Sequence, residues 1–299
     1  MMHGILPVDK PEDMSSAQVV RYVKKLEGIS KTGHMGTLDP FATGLLLVGL
    51  NKGTRLSRFF LSGSKRYSAR LHLGVETDTL DRTGTVVEEV PVPAHLDEPV
   101  ISSAVEHFKG PQQQVPPVFS ALKHNGKPLY RYAREGKTVE KPPRDIEIFD
   151  IRVVCIDLPY IDIDVACSGG TYIRTLAVDI GKKLGCTAHL DGLRRTGACG
   201  FAVEDAVDVE SVVQKDVPRL EKYTISLSGA LSFLPAVQAD SGMEKKVKHG
   251  QRLCLRDGLS DPSHTQGPVR IVDRAGRLCA VVEFDKSSWK FKYCCVFTA

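Results

Sequence analysis

Long apolar runs are missing from this chain. The run Leu45-Leu46-Leu47-Val48-Gly49-Leu50 stops at six residues, against about 20 for a bilayer-spanning helix. Met1–Pro7 lacks the basic start and apolar core of a signal peptide, so a cytoplasmic protein is expected. Paired metal ligands are missing too. None of the eight cysteines falls in a C-x-x-C pair, which argues against a zinc site. Buried, reduced thiols acting as small apolar residues are expected instead, with Cys294 and Cys295 on opposite faces of a strand. There is no G-x-x-x-x-G-K-[ST] phosphate loop, no G-x-S-x-G elbow and no H-E-x-x-H pair. A large charge of one sign is likewise absent, the net charge being +4. Most metal, nucleotide and serine-nucleophile chemistries are left without support.

What charge there is lies unevenly. Lys123, Lys127, Arg131, Arg134, Lys137, Lys141 and Arg144 fall in one stretch with only Glu135 and Glu140 opposing them. A local basic patch on a near-neutral protein suggests a polyanion contact. Phe119, Tyr130 and Tyr132 interleave with it and favour nucleic acid, because bases stack on aromatic rings. A solvated lysine-rich surface is the plainer alternative.

The order of elements is readable in part. Ser15-x-x-Gln18 is a capping box before Val19, Val20, Val23 and Leu26, with Gly28 as the stop. Lys65–Leu73 alternates, placing Tyr67, Ala69, Leu71 and Leu73 on one face. A second strand is expected at 85–89 and a helix at 97–108. Residues 110–144, rich in Pro, Gly, Lys and Arg, read as a long loop-like insertion. Strands follow at 146–156 and 160–167, then a helix with Ile173, Leu176, Ile180 and Leu184 as its stripe and Gly185 as its end, and a strand near 199–203. Beyond Pro235, strands at 252–255, 269–272, 278–284 and 291–297 suggest a small all-β appendage. The segment up to Leu50 is open between helix and strand.

Gly33-His34-Met35-Gly36-Thr37-Leu38-Asp39-Pro40 is the most informative stretch. Proline pushes Asp39 toward extended geometry, so its carboxylate projects from a bend. It can be a nucleophile, or a helix cap with Pro40 at the first helical position. Arg174 lies near a helix N-terminus, where it opposes the dipole and calls for a carboxylate or phosphate partner. Tyr67 is either a core tyrosine or a ring at a site. His34, five residues before Asp39, is close enough to line the same pocket or to be a plain loop histidine.

Taken together these segments resemble the TruB family of tRNA pseudouridine synthases. The resemblance runs in order through Val8-Asp9-Lys10-Pro11, the 33–46 stretch, Lys65-Arg66-Tyr67, Thr77-Asp78-Thr79 with Asp81, Pro116-Pro117-x-Phe119-Ser120-Ala121-Leu122-Lys123, Gly170-Thr171-Tyr172-Ile173-Arg174 and Ala188-His189-Leu190-x-x-Leu193-Arg194-Arg195-Thr196. It covers roughly the first 230 residues, and the tail is a looser match to a PUA-like appendage.

The resemblance implies an α+β fold with a central mixed, mostly antiparallel sheet. It divides the chain into a catalytic domain over 1–234, with an RNA-binding thumb at about 110–144, and a PUA-like β domain over 235–299. It implies isomerisation of the T-loop uridine at position 55 of tRNA, on a flipped-out base. Asp39 is then the catalytic aspartate, Tyr67 stacks on the base and assists proton removal, and Arg174 pairs with Asp39. Leu193 lines the uracil pocket, His34 holds the everted RNA, and Lys10, Tyr172, Lys123 and Arg134 are expected to bind substrate. Phe119 stands where many members of that family have tyrosine. No cofactor and no metal is implied, since the isomerisation needs neither redox change nor activated water. The expected partner is the T-arm of tRNA, with no membrane, no obligatory protein partner and a monomeric state. A non-catalytic RNA-binding or tRNA-chaperone protein is the main alternative. A glycosidic hydrolase is disfavoured because such enzymes use two acids, and a guide-RNA-dependent relative because this chain has no long basic tail.

Overall fold

The computed structural model describes residues 2–137, 139, 141–254, 257, 259, 267–287 and 289–297. The chain opens with β1 (Gly4–Lys10), α1 (Ser16–Lys24), β2 (Thr32–His34) and β3 (Thr43–Leu50). α1 begins at the expected capping box, with both Ser15 and Gln18 bonds present, and ends at Lys25, three residues before Gly28. Then come α2 (Ser57–Leu61), β4 (Lys65–Leu73), β5 (Val75–Thr77), β6 (Val86–Glu89) and α3 (Glu98–Glu106), which Asp97 caps. β7 (Gly110–Gln114), β8 (Lys123–His124), β9 (Lys127–Pro128) and α4 (Leu129–Arg134) follow, before β10 (Arg144–Asp157), β11 (Tyr160–Cys167) and α5 (Ile173–Lys183). β12 (Ala188–Ala198), β13 (Phe201–Ala202), β14 (Val207–Asp208), α6 (Val209–Val213) and α7 (Val217–Tyr223) complete the larger part. The tail holds β15 (Ala236–Gln238), α8 (Ser241–Lys248), β16 (Val269–Val272), β17 (Leu278–Asp285) and β18 (Lys290–Val296).

One mixed sheet dominates, in the order β14-β1-β3-β12-β4-β11-β10-β7, with β2 beside β3 and β13 beside β12. Among the described residues of this sheet, only β1–β14 and β3–β12 pair in parallel, and in the tail β15 runs parallel to β16. The burial of β3 explains why the segment to Leu50 is ambiguous as a sequence. Leu46, Val48 and Leu50 enter the main core with Val19, Val23, Leu71 and Ile180. Leu45 and Leu47 enter a second core with Leu56, Phe60 and the tail residues Leu278, Val281 and Phe297. A strand covered on both faces carries an unbroken apolar run, without the alternation that marks a half-exposed one. β4, by contrast, alternates as expected, Tyr67, Ala69, Leu71 and Leu73 being buried.

Three sequence expectations need amending. The 110–144 stretch is not loop throughout: β7 pairs with β10 at the edge of the main sheet, where a proline is tolerated. Asn125 and Gly126, both at positive φ, turn β8 into β9, an Asn-Gly hairpin signal. The tail contains α8, capped by Asp240 and buried only through Met243 and Val247, too few apolar positions to stand out as periodic. Residues 252–254 form no strand, and Leu255 lies outside the described residues, as does most of 256–267. Of the cysteines, Cys167, Cys186 and Cys295 are buried, whereas Cys155 and Cys254 are exposed. No helix among the described residues is long and apolar enough to cross a membrane.

The parallel contact of β3 with β12 is very close at Gly44, whose φ is +100° and where a Cβ would lie 2.3 Å from the Arg195 carbonyl oxygen. Gly44→Ala should therefore lower unfolding stability by about 2 kcal/mol or more, adding backbone strain to a clash with backbone. Urea unfolding measures it; an unchanged midpoint would mean that the two strands separate easily.

Candidate active site

Asp39 sits in a turn between β2 and β3, not at a helix start, so the helix-cap reading does not apply. This turn has no ladder of its own, and buried backbone carbonyls need donors. Arg195 supplies two: its guanidinium donates to Gly36 O at 3.2 Å and Thr37 O at 3.3 Å, while its Nε donates to Leu45 O at 2.7 Å. Ser16 Oγ donates to Leu38 O at 3.0 Å and accepts from Leu38 N at 2.9 Å. Ala42 N closes on Asp39 O at 3.1 Å. Lys10 Nζ donates to Pro40 O at 3.0 Å, and also to Pro11 O and Met14 O. Every carbonyl from Gly36 to Pro40 is thus held, and the Asp39 side chain is left to point outward.

It points to Arg174. The Arg174 Nε lies 3.0 Å from Asp39 Oδ2, an ion contact whose N–H is not directed along the line to the carboxylate. The same guanidinium is 3.5 Å from Asp81 Oδ2 and donates to Thr79 O and Phe119 O, each at 2.9 Å. Tyr172 caps α5 through its backbone, bonded both ways to the Gln114 side chain. Arg174 is therefore on the first turn of α5, and the acid partner its position calls for is present twice over.

A cleft of about 300 Å³ opens over this pair, lined by Asp39, Tyr67, Tyr172, Arg174, Leu193 and Arg195 among others. Tyr67 on β4 lies opposite Arg195 on β12. Burial pushes the Tyr67 phenol above its ordinary range, and the Arg195 guanidinium opposes that. The Asp39 carboxyl is also pushed up. Burial is the main cause, Arg174 works against it, Asp81 adds to it and Lys10 works against it. Arg174 alone does not restore an ordinary carboxylate.

The nine residues singled out from sequence divide. Asp39, Tyr67, Tyr172, Arg174 and Leu193 line the one cleft. Lys10 does not: it is wholly buried, its three donors bound to carbonyls, and burial lowers its pKa to about 8. His34 pairs with Val48 on β3, with its Nδ1 buried and unpartnered; burial and then Arg195 push its pKa down. Lys123 and Arg134 are exposed on the insertion, outside the cleft lining, with Arg134 over the Tyr130 ring. Sequence reasoning gave no part to Arg195, Asp81 or Lys65. Lys65 is buried, donating to Phe60 O and Gly63 O.

Comparisons with known proteins identify the family. Residues 24–173 match the model for the TruB family pseudouridylate synthase N-terminal domain, and residues 174–223 the model for the tRNA pseudouridylate synthase B C-terminal domain. The chain is 40% identical over 287 residues to tRNA pseudouridine synthase B of Pasteurella multocida, covering 95% of this chain and 92% of that protein. It is 43% identical over 286 residues to the protein of the same name from Actinobacillus pleuropneumoniae, covering 94% and 92%. Among solved structures, it superposes on a chain of a Cbf5-Nop10-Gar1 complex with a TM-score of 0.71 and 27% identity, over 94% of this chain and 78% of that one.

Two acids share one guanidinium, so removing one should relax the other. Asp81→Asn should lower the Asp39 pKa, read by carboxyl NMR of labelled protein; an unmoved or higher value would show that Asp81 exerts no charge effect there. The sign for stability follows from the raised pKa. Folded Asp39 keeps its proton to higher pH than the unfolded chain does, so its contribution favours the fold at low pH. That contribution is lost as pH rises from the ordinary carboxylate value through the folded one.

Proposed function

This chain belongs to the TruB family of pseudouridylate synthases, and we propose that it isomerises the T-loop uridine at position 55 of tRNA, with Asp39 as the nucleophile. The observation that carries this reading is the Asp39–Arg174 pair at 3.0 Å in a cleft walled by Tyr67, Tyr172 and Leu193. The reaction breaks the bond from uracil N1 to ribose C1′ and rejoins C1′ to C5. N1 gains a proton and C5 loses one, so the product has the mass of the substrate.

A carboxylate can open this sequence by attacking the base or the sugar, holding one fragment while the other turns. Either attack needs Asp39 ionised. Burial works against that, and Arg174 is the counter-charge that offsets part of it. The target nucleotide must first leave its stack, at a cost of a few kcal/mol. Stacking on Tyr67 recovers about 1–3 kcal/mol. Its phenol stays protonated at neutral pH, which suits stacking and hydrogen bonding better than proton abstraction. Leu193 supports an apolar wall for the uracil. The exposure of Lys123, Arg131 and Arg134 on the insertion supports phosphate contact there, whereas Lys127 is already paired with Glu135.

The direct test is incubation of purified protein with an unmodified T-arm stem-loop, followed by nucleoside chromatography. Conversion at the T-loop uridine is expected. Asp39→Asn should cut turnover by on the order of 10⁴-fold with binding intact, which also separates an enzyme from a non-catalytic RNA-binding protein. Arg174→Ala should lose turnover far more than affinity and move the acid limb of kcat/KM to higher pH, because the main charge opposing burial and Asp81 is then gone. Equal losses in both would make Arg174 a phosphate contact instead.

Affinity should fall with salt. Replacing Lys123, Arg131 and Arg134 with glutamine should flatten log K against log[salt] by about one unit for each phosphate that is no longer neutralised. An unaltered slope would place the RNA elsewhere.

A further inference from the structure

Four cationic side chains line the cleft, and three of them meet protein acceptors or carboxylates. Arg174 serves two carboxylates and two carbonyls. Arg195 serves three carbonyls, and Lys65 serves two carbonyls and the Cys199 thiol. Arg144 is different. Among the described residues no carboxylate or carbonyl meets its guanidinium, and its Nε is buried without an acceptor. Flat packing holds it instead. The guanidinium carbon stands 4.4 Å from the centroid of the Tyr172 ring. It also faces Gly170, where a Cβ would come within 3.4 Å of it.

An arginine mounted this way keeps its N–H edge free. Its planar fork of five donors matches a phosphate, and a partly buried cation without an anion is costly until one arrives. Arg144 is also the first residue of β10, where the basic insertion rejoins the main sheet. A nucleotide turned out of its stack into this cleft brings its own flanking phosphates. Resting on the function proposed above, we infer that Arg144 binds a phosphate next to the everted nucleotide, with Tyr172 and Gly170 as its mount. It is a substrate-binding residue, and the Tyr172 ring serves it as a platform.

A binding cycle with neutral phosphates tests this. The RNA probe is the T-arm stem-loop, carrying single methylphosphonates at the phosphates on either side of the target uridine. The protein is full-length Asp39→Asn, alone and combined with Arg144→Ala or Arg144→Gln, the latter keeping a flat amide over Tyr172. Both Arg144 substitutions should weaken binding of unmodified RNA roughly tenfold or more and flatten the salt slope by about one unit. One methylphosphonate should weaken binding to the Asp39→Asn protein by a similar factor and change nothing further once Arg144 is replaced. Additive losses at both flanking phosphates, or unchanged affinity in both Arg144 variants, would overturn the assignment. Failure of the wild-type chain to bind the stem-loop at all would overturn the substrate reading, and this one with it.

Discussion

Five consecutive carbonyl oxygens, from Gly36 to Pro40, all find donors, and the site depends on that more than on any contact of the acid itself. The donors come from β12 (Arg195), α1 (Ser16), β1 (Lys10) and the turn's own Ala42. A turn with no ladder is usually the mobile part of a fold. Here buried side chains take the place of a ladder, and the aim of Asp39 becomes a property of the sheet. Arg195 and Lys10 never need to touch a ligand to matter. Each is a long cation whose donors are taken by main-chain oxygens.

The electrostatics follow from that restraint. One guanidinium faces two acids, Asp39 and Asp81, and Asp81 is itself held by Thr79 and Thr83. Burial raises the acid, and the shared guanidinium, with help from Lys10, offsets only part of the rise. The outcome is an aspartate above its ordinary range rather than one pinned down by its arginine. The Arg174 guanidinium acts toward keeping Asp39 charged, against burial and Asp81.

Much of this was legible in the residues, for reasons that can be stated. β4 is covered on one face and open on the other, so Tyr67 announced its side by alternation. α1 and α3 carried their own caps. Arg174 betrayed a partner by standing at the wrong end of a helix. Other parts had no local signal. β3 hid its strand character by being buried on both faces. β7 hid behind a proline and three glutamines on a sheet edge. Asp81 lies in a polar turn bridged to Leu190 and stands 3.5 Å from the Arg174 guanidinium, a contact no local pattern marks. Arg194 and Arg195 are adjacent in sequence, yet one pairs with Asp9 and the other is buried against the Asp39 turn. Only the register of β12 against β3 tells them apart. Lys10 lies within a segment of family resemblance but is sealed from the cleft, so resemblance carried its identity without its role.

The tie between the insertion and Arg174 runs through a main-chain oxygen, that of Phe119. A main-chain acceptor is the same whatever side chain it bears. Aromatic identity at this position can therefore drift between tyrosine and phenylalanine without loosening the anchor. Exposed side chains of the insertion can change while the oxygen that meets Arg174 stays in place.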